Sequence, residues 1–398
     1  MNDNNFSFLR TRASIFQKDI NFYEDTLSKE IKNSSFLVIG GGGSIGSSVV
    51  KELFLRNPTC IHVVDISENS LAELVRDLRS TKHYNGELKT FAIDMGSSEF
   101  IQLLHSNSYD YIFNLAALKH VRSEKDPFTM SRMIKVNIIN TIDIYLQATK
   151  CQNMKKYFVV STDKAANPAN FMGATKRLME KFIFQLSSDI YPISLARFAN
   201  VAFSAGSILE SFKLRVEKGQ PIVAPNDIER FFITIKESGE LCLLSGLLAR
   251  NNEIIFPKQS EQLSLSNIKD VAIKFLEFNK LSPIELSSEE EARSYQKDAN
   301  FNDGWPCFFS SSDTSGEKGF EEFFTDQEDV RFDKFTSVGL IEPSVTSINL
   351  DFLEFKSRYQ EILEKSFNKA SLLSLLKSYV PEFDHVSADG DKNLDQKM

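Results

Sequence analysis

The stretch Phe36-Leu37-Val38-Ile39-Gly40-Gly41-Gly42-Gly43-Ser44-Ile45-Gly46 decides the fold. Its four leading apolar residues predict a buried β-strand, and the amphipathic residues 45–56 predict a helix directly after the glycines. Glycines in a turn from strand to helix let a pyrophosphate approach backbone N–H groups at the helix N-terminus, where the helix dipole favours negative charge. The stretch therefore predicts a dinucleotide-binding turn, with contacts from Gly40, Gly43, Ser44, Ile45 and Gly46.

Short apolar runs and helix-like segments alternate through the following residues. Further strands are predicted at residues 61–64, 91–93, 111–113, 157–160 and 193–196, and further helices at residues 70–80, 133–149 and 174–187. Near-continuous apolar strands separated by helices indicate a parallel sheet that is covered on both faces. The predicted fold class is therefore α/β, a doubly wound parallel sheet of the Rossmann type, with a smaller C-terminal substrate-binding domain.

The chain is predicted to have five parts. Residues 1–33 show helical spacing and are expected to dock on the main domain as a helical arm, or to form a dimer contact. Residues 34–200 form the dinucleotide-binding domain. Residues 201–330 lose the alternation and form a smaller, partly interleaved domain that binds the second ligand. Residues 331–384 are predicted as a C-terminal helical segment, and the polar residues 385–398 as a disordered tail.

Composition and charge restrict the classes of partner. The 398 residues are 42% hydrophobic and 25% charged, as in ordinary globular proteins. No apolar run approaches the roughly 20 residues that span a bilayer, so we expect no membrane partner and a cytoplasmic location. The net charge of −8 argues against nucleic acid. The four cysteines and five histidines form no metal-binding spacing, so no metal site is expected.

Acidic and small residues follow the predicted strands where a cofactor would lie. Asp65 ends the second strand, and its carboxylate can accept hydrogen bonds from ribose hydroxyls while repelling a 2′-phosphate, which favours NAD over NADP. Asp94 follows the third strand and is expected either to meet the adenine amino group or to cap the next helix. The predicted NAD contacts of this edge are Asp65, Asp94, Met95, Asn114, Ala116 and Ala117.

The fifth predicted strand brings polar residues to the same edge of the sheet. It ends in Ser161-Thr162-Asp163-Lys164, at the carboxyl edge where ligands bind in such folds. Met172 and Lys176 lie four residues apart and share one face of the next helix, from which Lys176 is expected to reach the nicotinamide ribose. A surface ion pair is the alternative for Asp163 and Lys164, and a solvated helix position is the alternative for Lys176.

These motifs resemble the nucleotide-sugar 4,6-dehydratases of bacterial polysaccharide and nonulosonate biosynthesis, which are extended short-chain dehydrogenases/reductases. In that fold a Tyr-x-x-x-Lys motif is usual, and here Met172 stands at the tyrosine position. The Met variant is similar to large membrane-anchored members that act on UDP-N-acetylglucosamine. The resemblance covers about residues 34–323 and is carried by residues 114–121, 161–168, 172–177, 196–201, 230–234 and 316–318.

The resemblance implies a hydro-lyase, a UDP-N-acetylglucosamine 4,6-dehydratase with NAD. Such an enzyme moves hydride from C4 to NAD, eliminates water across C5 and C6, and returns the hydride to C6. By resemblance, Asp163 is the acid at the 6-hydroxyl, Lys164 the base at C5, and Thr162 with Lys176 acts at O4, while methionine cannot ionise and only packs. The implied nucleotide-sugar contacts are Lys119, Glu124, Met172, Asn200, Arg230 and Glu317.

Several alternatives stay open at this point. A nucleotide-sugar 4-epimerase disagrees with the missing tyrosine, and a non-catalytic dinucleotide-binding sensor disagrees with the retained Thr162, Asp163 and Lys176. The wider group has Arg-Pro before Gly-Glu-Lys where this chain has Thr314-Ser315, which leaves UDP or GDP open. Arg197 fits an ion pair as well as a ligand contact. Related enzymes form dimers or larger rings, so a homo-oligomer is expected.

Overall fold

The computed structural model describes residues 7–10, 13–120, 124–150, 154–298, 304–312, 316–342 and 350–385. Thr314-Ser315 and residues 386–398 of the predicted tail lie outside these ranges. The strands are β1 Ser35–Ile39, β2 Cys60–Asp65, β3 Glu87–Ala92, β4 Tyr111–Asn114, β5 Lys156–Thr162, β6 Ile193–Phe198, β7 Asn200–Val201, β8 Ile222–Pro225, β9 Glu229–Arg230, β10 Phe232–Ile233, β11 Glu253–Pro257, β12 Ser266–Asn267, β13 Pro283–Leu286, β14 Trp305–Ser310, β15 Asp329–Arg331 and β16 Val338–Glu342.

The helices complete the alternation that the sequence predicts. They are α1 Gln17–Lys32, α2 Ser44–Leu55, α3 Glu68–Thr81, α4 Ser98–Ser106, α5 Pro127–Ile134, α6 Thr141–Ala148, α7 Phe171–Leu186, α8 Ile208–Glu217, α9 Ile235–Leu243, α10 Ile268–Phe278, α11 Glu289–Asp298, α12 Phe352–Lys365 and α13 Lys369–Tyr379. A π-helical segment, Lys135–Asn140, joins α5 to α6, and a second, Leu244–Leu248, follows α9. None of the helices in the described ranges is long and apolar enough to cross a membrane.

A nine-stranded sheet forms the centre of the molecule. Its order is β15-β16-β11-β6-β5-β4-β1-β2-β3. The run from β3 through β1 to β6 and β11 is parallel, while β16 and β15 are added antiparallel at the edge. The reversal of strand order beside β1 creates a crevice at the carboxyl ends of β1 and β4, where ligands bind in such sheets. The predicted doubly wound α/β fold is confirmed.

The buried apolar side chains of the described residues form two hydrophobic cores. The larger core surrounds the main sheet and includes Phe16 and Ile31 near α1 as well as Phe355 and Leu376 of α12 and α13. The smaller core, with Phe212 at its centre, lies among α8, α10 and the three-stranded sheet β13-β14-β8. Because β11, β15 and β16 return to the main sheet, the chain alternates between the two cores.

The predicted helical segment at residues 331–384 needs a correction. It begins with the end of β15 and with β16, whose backbone pairs antiparallel with β11, and it is helical only from Phe352. Residues 338–341 are buried because β16 lies between β11 and the edge strand β15. Helical spacing returns only with α12 and α13.

Candidate active site

The glycine-rich turn lies between β1 and α2. Gly40 has a φ of +77°, and a Cβ on it would lie 2.7 Å from the backbone nitrogen of Ala116, so glycine lets the β1 and β4 loops meet. A Cβ on Gly46 would lie 2.1 Å from the carbonyl oxygen of Gly40. Gly43 differs, since the nearest described atom to its added Cβ is 3.4 Å away. A side chain would therefore clash with the backbone at Gly40 and at Gly46, whereas the space beside Gly43 is free of such clashes.

Ser44, Ile45 and Asp65 flank the open side of this turn. Ser44 and Ile45 begin α2, and their backbone N–H groups belong to the first turn, which has no intrahelical acceptor and favours an anion. The Ser44 hydroxyl accepts a 2.9 Å hydrogen bond from the backbone N–H of Ala205, which brings the loop after β7 to the turn. Asp65 accepts from the backbone N–H of Gly42 at 2.9 Å, so its carboxylate is fixed beside the glycines.

Asp94 lies two residues after β3 with Met95 beside it. Its carboxylate accepts hydrogen bonds from Arg132 and from the backbone N–H of Gly96, each at 2.7 Å. Burial alone would raise the pKa of Asp94, but these two hydrogen bonds have the larger combined effect. The pKa of Asp94 is therefore below its ordinary value. The N-cap of α4 is Ser97, so Asp94 does not cap that helix. Met95 is buried in the main core.

Asn114, Ala116 and Ala117 end β4 opposite the glycines. Asn114 is fully buried, and its side-chain amide donates to the Tyr157 hydroxyl at 3.0 Å. Its side-chain oxygen accepts from the backbone N–H of Ala116 at 3.3 Å. Asn114 therefore fixes the path of the chain through Ala116 and Ala117, whose small side chains keep the crevice open.

Asp163 and Lys164 follow β5 in a single 3₁₀ turn. Asp163 is 3% exposed, and its Oδ1 accepts from the Thr162 hydroxyl at 2.9 Å and from Lys164 Nζ at 3.1 Å. Asp163 is thus buried and the Lys164 side chain is only 15% exposed, which rules out the surface ion pair that the sequence left open. Asp163 Oδ2 is also buried and has no hydrogen-bond partner among the described residues. Because an unpaired buried oxygen is costly, Oδ2 marks a position where a ligand can donate a hydrogen bond.

A second carboxylate, that of Glu321, also lies close to Lys164. Lys164 Nζ lies 3.5 Å from Glu321 Oε1, and the same oxygen lies 3.9 Å from Nη2 of Arg230. Burial lowers the proton affinity of Lys164, yet Asp163 and Glu321 together raise its pKa above the ordinary value. Burial also raises the pKa of Glu321. Sequence analysis missed Glu321, since it is one of 54 acidic residues and nothing in its spacing predicts burial.

The helix α7 presents Met172 and Lys176 below the end of β5. Both are buried, and Lys176 Nζ donates to the carbonyl oxygen of Val160 at 2.9 Å. Burial lowers the pKa of Lys176 to about 8. The solvated helix position considered for Lys176 is therefore excluded. Glu124 accepts a 3.0 Å hydrogen bond from the backbone N–H of Met172, so its carboxylate holds the first turn of α7.

The other predicted sugar and nucleotide contacts lie on loops around this edge. Lys119 Nζ donates to the Ser204 hydroxyl at 3.3 Å, and burial lowers its pKa. The Asn200 side-chain amide donates to the carbonyl oxygen of Phe231 at 3.4 Å. Lys119 therefore ties the loop after β4 to the loop after β7, and Asn200, at the start of β7, is tied to the residue that precedes β10.

Arg230 and Glu317 form a tight pair on the opposite wall. Arg230 is 5% exposed, and its Nη2 donates to Glu317 at 3.0 Å. Its Nη1 donates to the carbonyl oxygens of Lys318 and Gly319 at 2.9 and 3.2 Å. Glu317 also accepts from the Ser312 hydroxyl at 2.9 Å. In this state Arg230 positions the loop that carries Glu317 and Glu321.

Arg197 is an ion-pair residue of the core. It is fully buried, and its guanidinium donates to Glu180 at 2.8 Å and to Glu328 at 2.7 Å. Glu180 also accepts from the Ser161 hydroxyl at 2.5 Å, so the network reaches the residue before Thr162. The structure therefore resolves the alternative for Arg197 in favour of the ion pair.

Cys60, His62 and Glu87 come together at the opposite end of β2 and β3. Their possible donor atoms lie within 4.8 Å of one another, a proximity that the linear spacing did not reveal. Both ring nitrogens of His62 already have partners, Tyr109 at 2.8 Å and Glu87 at 2.9 Å. Burial raises the pKa of Cys60 to about 11, so its thiol stays protonated. The hydrogen bonds of His62 therefore explain why these side chains lie close together.

Comparison with known proteins connects this site to a family. A family model described as polysaccharide biosynthesis protein matches residues 36–342. An uncharacterized membrane protein of Methanocaldococcus jannaschii, MJ1061, is 35% identical over 66% of this chain and 75% of its own length. The capsular polysaccharide biosynthesis protein CapD of Staphylococcus aureus is 29% identical over 66% of this chain, which spans only 46% of CapD. A UDP-glucose 4-epimerase of Rickettsia prowazekii is 27% identical over 57% of this chain and 66% of its own length.

Solved structures share the fold at low sequence identity. Pen from Bacillus thuringiensis superimposes with a TM-score of 0.64 and 21% identity, covering 85% of this chain and 99% of Pen. The Bordetella bronchiseptica enzyme WbmF, solved in complex with NAD+ and UDP, gives a TM-score of 0.52 and 19% identity over 70% of this chain and 91% of WbmF. These likenesses support the fold assignment.

Proposed function

Because the chain belongs to the family of polysaccharide biosynthesis proteins, we propose that it catalyses the NAD-dependent 4,6-dehydration of UDP-N-acetylglucosamine. The product would be a UDP-linked 4-keto-6-deoxy-N-acetylhexosamine. One observation carries the proposal: the buried pair Asp163 and Lys164 lies at the carboxyl edge of the sheet with one carboxylate oxygen unpaired. Elimination of water across C5 and C6 needs an acid and a base side by side, in addition to the group that handles the O4 proton, whereas oxidation and return of hydride at C4 need only the latter.

The crevice fits a dinucleotide with a free 2′-hydroxyl. There is space beside Gly43 in the glycine-rich turn, and the absence of a side chain at Gly40 lets the loop after β4 approach the turn. The Asp65 carboxylate lies beside the same turn. We assign the pyrophosphate to the first N–H groups of α2 and the adenosine ribose to Asp65, which disfavours a 2′-phosphate. Bound there, NAD would supply hydride-transfer chemistry for the oxidation at C4 and the reduction at C6. NAD rather than NADP is therefore the proposed cofactor.

Transfer of one proton from Lys164 to Asp163 would produce both the acid and the base that the elimination needs. Lys164 Nζ lies 3.1 Å from Asp163 Oδ1, and the acidic neighbours of Lys164 favour its ammonium form. If that proton passes to the carboxyl group, the Nζ–H bond breaks and an O–H bond forms, leaving a neutral amine and a carboxylic acid. The amine can then remove the C5 proton while the acid protonates the departing 6-hydroxyl.

Thr162 and Lys176 are proposed to act at O4. Thr162 is the last residue of β5. Its hydroxyl and Lys164 Nζ both donate hydrogen bonds to Asp163 Oδ1, so Thr162 is connected to the proposed acid and base. Lys176 has a pKa of about 8 and can carry or lose a proton near neutral pH. Met172 supplies an apolar wall at the position where a tyrosine is usual.

A 4-epimerase is the second candidate, favoured by the similarity to the Rickettsia UDP-glucose 4-epimerase. It leaves Asp163 and Lys164 without a role. A non-catalytic sensor would also keep the NAD site. Incubation of the protein with UDP-N-acetylglucosamine and mass spectrometry separates the three: loss of one water supports dehydration, an isomer of unchanged mass supports epimerisation, and an unchanged substrate supports the sensor.

Two substitutions test the acid and base assignment. Asp163→Asn and Lys164→Met each remove one partner of the proton exchange, so we expect turnover to fall at least ~100-fold while NAD remains bound. Glu322→Gln is the matched control, because Glu322 is exposed and accepts a hydrogen bond only from Asn167 within the described contacts. Near-full turnover in either active-site variant would remove the assignment.

Two further proposals concern the protein in the cell. A homo-oligomer, a dimer or larger, is proposed and is measured by light scattering after size exclusion. A cytoplasmic location is supported by Cys60, Cys242 and Cys307, which are free thiols and suit a reducing compartment. Fractionation of cells that express the tagged protein tests the location.

A further inference from the structure

Glu321 is buried beside the proposed acid and base. It is 3% exposed, and its Oε1 lies 3.5 Å from Lys164 Nζ. The loop that carries Glu321 is fixed by Arg230, whose guanidinium donates to the carbonyl oxygens of Lys318 and Gly319. These hydrogen bonds anchor the loop two to three residues before Glu321.

The charge of Glu321 opposes the proton exchange that dehydration needs. Lys164 must become neutral to remove the C5 proton, and a carboxylate at 3.5 Å stabilises the ammonium instead. Arg230 acts in the opposite direction, since its positive charge lies 3.9 Å from the same carboxylate. The charged groups that face Lys164 are Asp163, Glu321 and Arg230, and those that face Glu321 also include Lys318.

We propose that Glu321 is a positioning residue for the elimination: its carboxylate fixes the Lys164 ammonium toward Asp163 and sets the pH range in which this pair can act. The inference rests on the proposed dehydration, because it assigns Glu321 a function through Lys164. Glu321 does not need to touch the sugar. It holds the amine in place and adds the second negative charge that determines when the amine can lose its proton.

Glu321→Gln and Glu321→Asp test the inference through the pH dependence of kcat/KM. The glutamine variant removes one negative charge beside Lys164, so the whole profile should move to lower pH by roughly one unit. The aspartate variant withdraws the carboxylate by one methylene group, so its shift should have the same direction and be smaller. Glu322→Gln, which changes the adjacent exposed carboxylate, should leave the profile in place.

A second measurement is independent of turnover. The rate at which acetic anhydride modifies Lys164 at each pH, measured by peptide mass spectrometry, reports the proton affinity of its amine. We expect the midpoint of modification to fall in Glu321→Gln relative to wild type. If the wild type makes no dehydrated product, the proposed function fails, and the modification midpoint still decides whether Glu321 controls Lys164.

The outcomes separate a positioning role from packing alone. Lower kcat with an unshifted pH profile and an unshifted modification midpoint would overturn the inference, because glutamine keeps the size of the side chain and removes its charge, and that charge would then have no effect on the proton affinity of Lys164. Circular dichroism of each variant confirms the fold. If Glu321→Gln does not fold, Glu321→Asp provides the test. The inference then requires that Glu321→Asp shift both the pH profile of kcat/KM and the pH midpoint of Lys164 modification. If neither shifts, the inference is overturned.

Discussion

Lys176 is a buried amine whose charge is costly to the folded state. Its pKa is about 8 in the fold because of burial, against an ordinary value of 10.5. Between these values the unfolded chain binds more protons than the folded chain, so the free energy of unfolding rises with pH. The contribution of Lys176 should therefore increase by about 3 kcal/mol from below pH 8 to above pH 10.5.

Replacement of Lys176 by methionine tests this prediction. Lys176→Met removes the titrating group while keeping an unbranched side chain in the buried position. Urea unfolding of the cofactor-free protein across this pH range gives the measurement. We expect the free energy of unfolding of wild type minus that of Lys176→Met to become more positive as pH rises. Parallel curves for the two proteins would contradict the assigned pKa.

At the residue scale, the sequence predicted which residues lie at the carboxyl edge of the sheet better than it predicted their contacts, and the catalytic roles of these residues stay proposals. Motif and spacing identified Asp163, Lys164 and Lys176, whose neighbours in sequence already indicate a site at a strand end. They did not identify Glu321, which comes from a distant loop, or the two carboxylates that bind Arg197. A linear pattern contains no information about which of many surface-type carboxylates becomes buried, because tertiary packing decides it.

The glycine-rich turn gives an element-scale prediction with its own matched control. Gly43→Ala should fold normally, because its Cβ would meet only the Gly40 oxygen at 3.4 Å, but should weaken NAD binding by about tenfold by narrowing the open side. Gly46→Ala should lower stability by about 1–3 kcal/mol, since its Cβ would lie 2.1 Å from the Gly40 oxygen.

Two measurements separate these effects. Thermal unfolding reports the stability of each glycine variant without cofactor, and calorimetric titration reports the affinity for NAD. Unchanged NAD affinity in Gly43→Ala would mean that the cofactor does not pass that position. Full stability in Gly46→Ala would mean that the turn can relax around the added methyl group.

Elements with a strong local pattern were predicted, and those set by long-range pairing were not. Five of the first six strands of the main sheet match apolar runs because they are buried on both faces. The exception is β3, which lies partly exposed at the edge of the sheet and overlaps its predicted run only at residues 91–92. β16 was assigned to a helical segment because its strand state depends on pairing with β11. The predicted helix at residues 133–149 contains the π-helical segment Lys135–Asn140, which periodicity alone does not reveal.

At the scale of the whole molecule, the C-terminal helices belong to the main core. Phe355 of α12 is fully buried, with its ring centroid 5.5 Å from that of Phe182 on α7 and 5.2 Å from that of Tyr379 on α13. The helix α7 also carries Met172 and Lys176. The packing of residues at the end of the described chain therefore supports the helix that forms one wall of the site.

Phe355→Ala should consequently destabilise the entire main core. Loss of a buried aromatic ring costs about 3–5 kcal/mol, a large part of the ~5–15 kcal/mol that stabilises a typical domain. Leu353→Ala is the matched control on the same helix, since Leu353 is 72% exposed and should change stability by less than about 0.5 kcal/mol. Hydrogen exchange read by mass spectrometry should show faster exchange in β1, β4 and β5 of Phe355→Ala, together with α12. Faster exchange confined to α12 and α13 would mean instead that the helical pair unfolds separately from the sheet.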